Sequence, residues 1–242
     1  MASETIKKYG GWVKESAFGI WFLSTDTWIK HVLTKAFDDI DPLIDDRKQT
    51  YPIILDVGYG HGHSLWMLDQ RFNPKKIIAL DIDPKSQSRA QKNIALCNCE
   101  VHIQINDAAD IKLDDNSVDM LFCHQTFHHL VDQERAIGEF FRVLKPGGIL
   151  LFSESCRRYI HSFMIRLLFR HPMDVQKTDL EYIELLRSTG FEFEEHNISR
   201  PFLWWSREDL GALEFFGFPE KQENREETMV NIVARKLNNP IL

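Results

Sequence analysis

The stretch IILDVGYGHGHS, residues 53–64, carries an apolar run into Asp56 and then sets Gly58, Gly60 and Gly62 at every second position. An unbroken apolar run of this length, followed at once by a turn, reads as a strand buried on both faces. A turn that uses three glycines needs left-handed backbone or a close neighbour where a side chain would stand. The next segment, HSLWMLDQRF (63–72), reads as a helix whose first amides point back at the turn. Strand, glycine turn and helix open a βαβ unit. In open α/β sheets, ligands bind at the carboxyl end of such a strand.

Further along the chain the same alternation repeats. Apolar runs at 77–82 (IIALDI), 101–105 (VHIQI), 118–123 (VDMLFC) and 148–153 (GILLFS) alternate with mixed segments at 84–95 and 132–144. In the latter, Ala136, Ile137, Phe140, Phe141 and Leu144 share one helical face. TDTWIKHVLTKAF (25–37) has helical spacing, and DDIDPLIDDRKQ (38–49) reads as an acidic linker. KPGG (145–148) suits a tight turn with proline second and glycine third. Residues 178–189 read as the last sheet-covering helix, ended by Gly190, and TMVNIVARK (228–236) as the final strand. Strands that alternate with helices predict a parallel sheet covered on both faces.

The second strand ends at Asp81, 19 residues beyond Gly62, a spacing that suits a carboxylate gripping two ribose hydroxyls. The ligand is therefore read as a nucleoside. A dinucleotide turn has the spacing G-x-G-x-x-G and reserves a helix amino terminus for pyrophosphate. Here the pattern is D-x-G-x-G-x-G, with no lysine or arginine between Asp56 and Arg71. An acid at the turn suits a ligand bearing an ammonium or sulfonium, which points to S-adenosylmethionine and away from NAD.

These blocks give the chain its resemblance. LDVGYGHG (55–62), IIALDID (77–83), INDAADIKLDDNSVDMLFCHQTFHHL (105–130) and EFFRVLKPGGILLFSE (139–154) resemble, in order and spacing, the class I S-adenosylmethionine-dependent methyltransferases. Within that family they are similar to the branch typified by ubiquinone and menaquinone biosynthesis methyltransferases. The resemblance implies a Rossmann-like α/β fold with a seven-stranded, mainly parallel sheet, helices on both faces and an antiparallel last strand. It implies a glycine turn (Asp56, Gly58, Gly60, Gly62) at the methionine half of the cofactor, Asp81 with Ile82 at the ribose, Asp107 with Ala108 at the adenine, and His124 as the floor. S-adenosylhomocysteine would be the product. Tyr59 and His61 depart from the small residues common in this turn, and both have room to point away from the ligand.

Methyl transfer needs the acceptor, methyl and sulfur held in line, and a base only where the acceptor must lose a proton. His128 follows the fourth strand, where the transferred methyl should lie, and is the candidate catalytic base; a structural role is the competing reading for His128 and His129. His124 and His161 are weaker candidates for the same proton. The segments outside the sheet are aromatic and apolar. Tyr9, Trp12, Phe18, Trp21, Phe22 and Trp28 precede it, and 200–218 (RPFLWWSREDLGALEFFGF) follows it. The acid-free stretch 155–173 holds Arg157, Arg158, Arg166 and Arg170, and Phe163, Met164, Leu167 and Leu168 can share one helical face. Residues 1–45 are accordingly read as a helical lid on a single domain spanning 46–242. The acceptor is expected to be small and hydrophobic or aromatic, reached in solution or by peripheral contact with a membrane surface.

Composition narrows the classes. With 242 residues, 43% hydrophobic and 27% charged, the chain can bury a self-sufficient core. A net charge of −7 argues against nucleic acid as the main partner. No signal-peptide core or bilayer-length apolar run is present. Cys97, Cys99, Cys123 and Cys156 lack metal-clip spacing and are expected as reduced thiols in a cytoplasmic protein. No metal site is expected. Two functions fit these residues: an active methyltransferase, or a methyltransferase-like nucleoside-binding protein with a regulatory or partner role and no turnover.

Overall fold

The computed structural model describes residues 12–203, 206, 217 and 226–237. Tyr9, the rest of the lid's first 11 residues and most of the aromatic stretch after Leu203 lie outside the described residues.

The first described elements are short: α1 (Ala17–Phe22), α2 (Asp26–Trp28), a π-helical turn (Ile29–Leu33) and α3 (Thr34–Ile40). The alternating layers follow as β1 (Ile53–Val57), α4 (His63–Phe72), β2 (Lys76–Asp81), α5 (Ser86–Ile94), β3 (Glu100–Ile105) and β4 (Val118–His124). Next come α6 (Gln133–Val143), β5 (Leu144–Ser155), α7 (Arg157–Ile160), α8 (Phe163–Leu168) and α9 (Asp179–Thr189). The chain closes with β6 (Phe191–Glu192), β7 (Ile198–Ser199) and β8 (Met229–Lys236).

The sheet order is β3-β2-β1-β4-β5-β8-β6, with β7 also on β8. The first five strands are parallel, and β8 runs antiparallel to β5, β6 and β7. The expected seven strand positions are present, but the sixth is split. Glu192 pairs with Arg235 and Ile198 with Ile232, so the chain uses extra residues there, which turn out through Glu195–Asn197.

Both faces of the central strands are buried, and the two-residue period sorts them. Leu55, Val57, Leu121, Cys123, Leu150 and Phe152 face α6 and α9. Ile54, Met120, Phe122, Ile149 and Leu151 face α3, α4 and α5. That explains why the strands read as continuous apolar runs rather than alternating ones.

The acidic segment 38–49 is not a free linker. Its helix continues to Ile40, which is fully buried, and Ile44 joins the same core. Asp38 and Asp41 both receive the Arg71 guanidinium from α4, so the acids fasten this segment to the sheet-covering layer. Gly147, with φ of +75°, has the left-handed backbone expected of the third KPGG position. The segment nevertheless lies inside β5, where the pairing jumps from Val118–Leu144 to Met120–Ile149, and Leu144 is a strand residue rather than the end of the helix. Among the described residues, no helix is long and apolar enough to cross a membrane.

Candidate functional site

The three glycines of the turn have three different reasons to be glycine. All have positive φ, at +78°, +50° and +77°. A Cβ on Gly58 would stand 2.1 Å from Thr126 Oγ1, so this residue lets the turn lie against the loop after β4. A Cβ on Gly62 would stand 2.8 Å from Ala90 Cβ, so this residue lets α4 close on α5. At Gly60 the nearest atom would be the Gly58 carbonyl oxygen at 3.9 Å, an ordinary contact, and the residue lines the cavity described below. Tyr59 points backward into the core, where its hydroxyl meets Ser86 Oγ at 2.7 Å.

Asp81 leaves the end of β2 beside this turn. Its carboxylate accepts the amides of Gly60 (2.9 Å) and Asp83 (2.8 Å), and burial raises its pKa. One residue thus ties two loops together while its side chain faces the cavity. Asp107, at the end of β3, accepts the amide of Ala109 at 2.9 Å.

The loop after β4 is organised by a buried carboxylate. Glu154, at the end of β5 and fully buried, accepts the amides of Thr126 (2.9 Å) and Phe127 (2.8 Å) with one oxygen. Its other oxygen accepts from Nδ1 of His128 at 2.6 Å. That bond sets the imidazole's orientation and leaves Nε2 free of the carboxylate.

Two flaps roof the space. From one side comes a strap, residues 12–25. Trp12 bridges to Leu130, and the Ser16 hydroxyl donates to the Leu168 carbonyl at 2.6 Å. His61 Nε2 meets the Ile20 carbonyl at 3.0 Å, and burial lowers this imidazole's pKa. From the other side come α7 and α8, where Phe169 packs edge-on against Phe18 and Phe22. Between the flaps and the sheet edge lies a cavity of about 380 Å³. Gly60, Asp81, Ile82, Asp107 and Ala108 line one end. Phe18, Phe22, Met164, Leu168 and Phe169 line the roof, and His128, His129 and His171 stand on the wall.

Comparison with known proteins agrees with this geometry. Residues 55–152 match the methyltransferase domain family. Phosphoethanolamine N-methyltransferase 3 of Arabidopsis thaliana is 26% identical over 179 residues, 74% of this chain and 35% of that protein. Sarcosine/dimethylglycine N-methyltransferase of Halorhodospira halochloris is 27% identical over 184 residues, 68% of this chain and 66% of that protein. The chain thus spans between about a third and two thirds of the length of these two curated relatives. A SAM-dependent methyltransferase from Aquifex aeolicus has the same fold, with a TM-score of 0.61 and 19% identity over 90% of this chain and 97% of that one. Over residues 55–152 the chain is similar to the methyltransferase domain family, and its fold is that of S-adenosylmethionine-dependent methyltransferases.

The residues singled out from the sequence fall into three groups, with Gly58 and Gly60 lining both spaces. Gly58, Gly60, Asp81, Ile82, Asp107, Ala108 and His128 all line the main cavity. Asp56 and His124 instead face a small chamber of about 50 Å³ behind the turn, shared with Ser64, His63, Trp28 and Phe122. Gly62 lines neither space and serves helix packing. Asp56 is buried and accepts from Ser64 Oγ; burial pushes its pKa up to about 7. Burial, with His128 nearby, lowers the pKa of His124 to about 3, and its ring stacks on Phe122 and meets Trp28 edge-on. His161 is exposed, bonded to the Met173 carbonyl at 3.3 Å, and is not part of the cavity wall.

The lid helix also differs from its expected form. Met164 and Leu168 face the cavity and Ile165 is buried, whereas Phe163 and Leu167 are 78% and 66% exposed. None of the four arginines of 155–173 lines the cavity. Arg157 pairs with Glu181 and Glu226 instead.

Sequence reasoning missed Glu154, Gln125, Thr126 and His171. Glu154 had a readable signal, an acid closing a buried apolar strand as Asp56 and Asp81 do. His171 had none. It lies 42 residues beyond His129, yet their rings stand 4.7 Å apart. The expectation that no histidine set has metal-ligand spacing held only along the chain. In space His128, His129 and His171 converge.

Proposed function

We propose that the whole chain transfers a methyl group from S-adenosylmethionine to a small, largely apolar acceptor. The observation that carries this reading is one cavity with two chemically distinct ends. A carboxylate and a cavity-lining glycine stand at the sheet edge, and an aromatic and aliphatic roof covers the remaining room. These residues fit the cofactor: Asp81 would accept from ribose hydroxyls, Asp107 and Ala108 would border the adenine, and Gly60, with no side chain, leaves room for the methionine portion. Asp56 and His124 would act from behind the turn, through its position and not by contact from the main cavity. When bound, S-adenosylmethionine supplies a methyl carbon made electrophilic by the sulfonium.

The rest of the task falls to this chain's own residues. The strap and α8 exclude water and align the acceptor, which is the main source of acceleration in displacements of this kind. His128, oriented through Nδ1 by Glu154, takes the acceptor's proton at Nε2, the arrangement of a base held by a third group. The likeness of the motif blocks to ubiquinone and menaquinone biosynthesis methyltransferases makes an apolar phenolic or quinol ring the first acceptor class to test. A second reading, an amine acceptor, is favoured by the names of the two relatives that methylate phosphoethanolamine and sarcosine or dimethylglycine.

Calorimetric titration with S-adenosylmethionine, S-adenosylhomocysteine and NAD tests the cofactor. Binding of the first two but not NAD is expected; the reverse sinks the reading. Turnover against a panel of phenols and a panel of small amines then separates the acceptors, and binding with no turnover on either leaves the regulatory alternative. His128→Ala should lower turnover roughly 10²–10⁴-fold with cofactor affinity nearly intact.

A further inference from the structure

Three imidazoles meet on the cavity wall, drawn from two separate segments. Ring centroids stand 4.4 Å apart for His128 and His129, 5.1 Å for His128 and His171, and 4.7 Å for His129 and His171. One ring nitrogen from each lies within 4.8 Å of the other two. We propose that His128, His129 and His171 form a binding site for a divalent transition metal of the zinc class.

Several features of the fold favour coordination over simple ring packing. Glu154 holds Nδ1 of His128, the carboxylate–histidine arrangement that fixes a ligand's tautomer and leaves Nε2 for a metal. Gln176, itself buried, donates to the carbonyls of both His128 and Pro172, which clamps the segment bearing His171 to the segment bearing His128. Nδ1 of His171 is buried with no hydrogen-bond partner among the described residues. The Glu15 carboxylate stands 3.7 Å from Nε2 of His129 and supplies negative charge beside the set. A tetrahedral zinc with bonds of about 2.1 Å spaces its ligand nitrogens about 3.4 Å apart, so small side-chain rotations must draw the rings inward. Three neutral imidazoles with an open fourth position suit zinc, copper, nickel or iron, and do not suit magnesium or calcium.

The proposal does not rest on the methyl-transfer reading. It does bear on it, because a metal on Nε2 of His128 removes that nitrogen as a proton acceptor. The metal-loaded and metal-free proteins would therefore differ in chemistry at the same wall.

The test uses the untagged full chain, stripped with chelator and free of S-adenosylmethionine. Calorimetric titration with Zn²⁺ should give one equivalent bound, and Co²⁺ should give the intense visible absorption of a low-symmetry four-coordinate site. His171→Ala and His129→Ala should each weaken binding at least tenfold and abolish the cobalt spectrum. His171→Phe, which keeps a ring in the packing, should do the same if the alanine variant folds poorly. Glu154→Gln should weaken binding roughly 10–100-fold. His102→Ala, at an exposed histidine paired with Glu100, should change nothing. Absence of binding at micromolar Zn²⁺, or unchanged affinity in both His171 variants, would overturn the site.

Discussion

Gly58 and Gly60 stand two residues apart in one turn, yet a methyl group added to each should have opposite consequences. At Gly58 the methyl would overlap the Thr126 side chain, with Oγ1 at 2.1 Å and Cγ2 at 2.3 Å, on top of a positive φ. Left-handed backbone costs an L-residue roughly 1–2 kcal/mol and overpacking another 1–3. Gly58→Ala should therefore lose roughly 2–5 kcal/mol in urea denaturation. Gly60→Ala meets no atom within 3.4 Å and should lose only the backbone part, roughly 1–2 kcal/mol. Its methyl would instead enter the cavity, so its larger effect should be on S-adenosylhomocysteine affinity. Equal stability losses in the two variants would refute the division of roles. Asp81 combines both roles. Asp81→Ala should weaken cofactor binding by roughly 1.5–3 kcal/mol, the range for hydrogen bonds to a charged group. It should also lower stability by about 1–2 kcal/mol, because the amides of Gly60 and Asp83 lose their acceptor. Unchanged affinity would remove Asp81 from the cofactor site. The aspartates of the turn were legible because an acid that closes a buried strand is conspicuous. Their division into a cavity-facing Asp81 and a chamber-facing Asp56 was not, since it depends on which way each strand end turns.

At the scale of elements, β1, β2 and β4 were readable to within a residue because both of their faces are buried and leave continuous apolar runs, whereas β5 begins four residues before its apolar run, at Leu144. The flaps were less so. A six-residue helix such as α8 has less than two turns to commit, so which of Phe163, Met164, Ile165 and Leu168 packs inward depends on the strap that meets it. The strap itself is held by bonds at isolated points: Trp12 to Leu130, Ser16 to Leu168, Glu15 to the Arg170 amide and His129, and His61 to Ile20. Elements held this lightly are the ones that open locally before the core does. Amide hydrogen exchange in 12–25 and 163–171 should be fast in the free protein and slow on addition of S-adenosylhomocysteine, while β1, β4 and β5 remain protected throughout. Ser16→Ala removes both the cap of α1 and the bond to Leu168, and should raise strap exchange without shifting the core. Exchange in the strap as slow as in β4 would rule out a closing flap.

For the molecule as a whole, the chamber behind the turn predicts how stability depends on pH. Asp56 and His124 line it together, and each is buried with its neutral form favoured. An aspartate in the unfolded chain titrates near 3.9 and a histidine near 6.5. With its folded pKa raised to about 7, Asp56 keeps its proton in the fold while the unfolded chain releases it. The stability it contributes is present in acid and is lost as pH rises from about 4 to 7. With its folded pKa lowered to about 3, His124 stays neutral in the fold while the unfolded chain takes up a proton. Its contribution is intact above pH 6.5 and is lost as pH falls toward 3. Over the shared window the two slopes oppose one another, each at most about 1.4 kcal/mol per pH unit. Single substitutions should expose them. His124→Gln should gain stability relative to the parent as pH falls from 6 to 4.5, because the unfolded state no longer competes for that proton. Asp56→Asn should gain relative to the parent as pH rises from 5 to 7. Urea denaturation at half-unit intervals, without cofactor, measures both differences. If the variants run parallel to the parent from pH 4.5 to 7.5, the two groups titrate alike in the folded and unfolded chains, and the chamber does not hold them neutral.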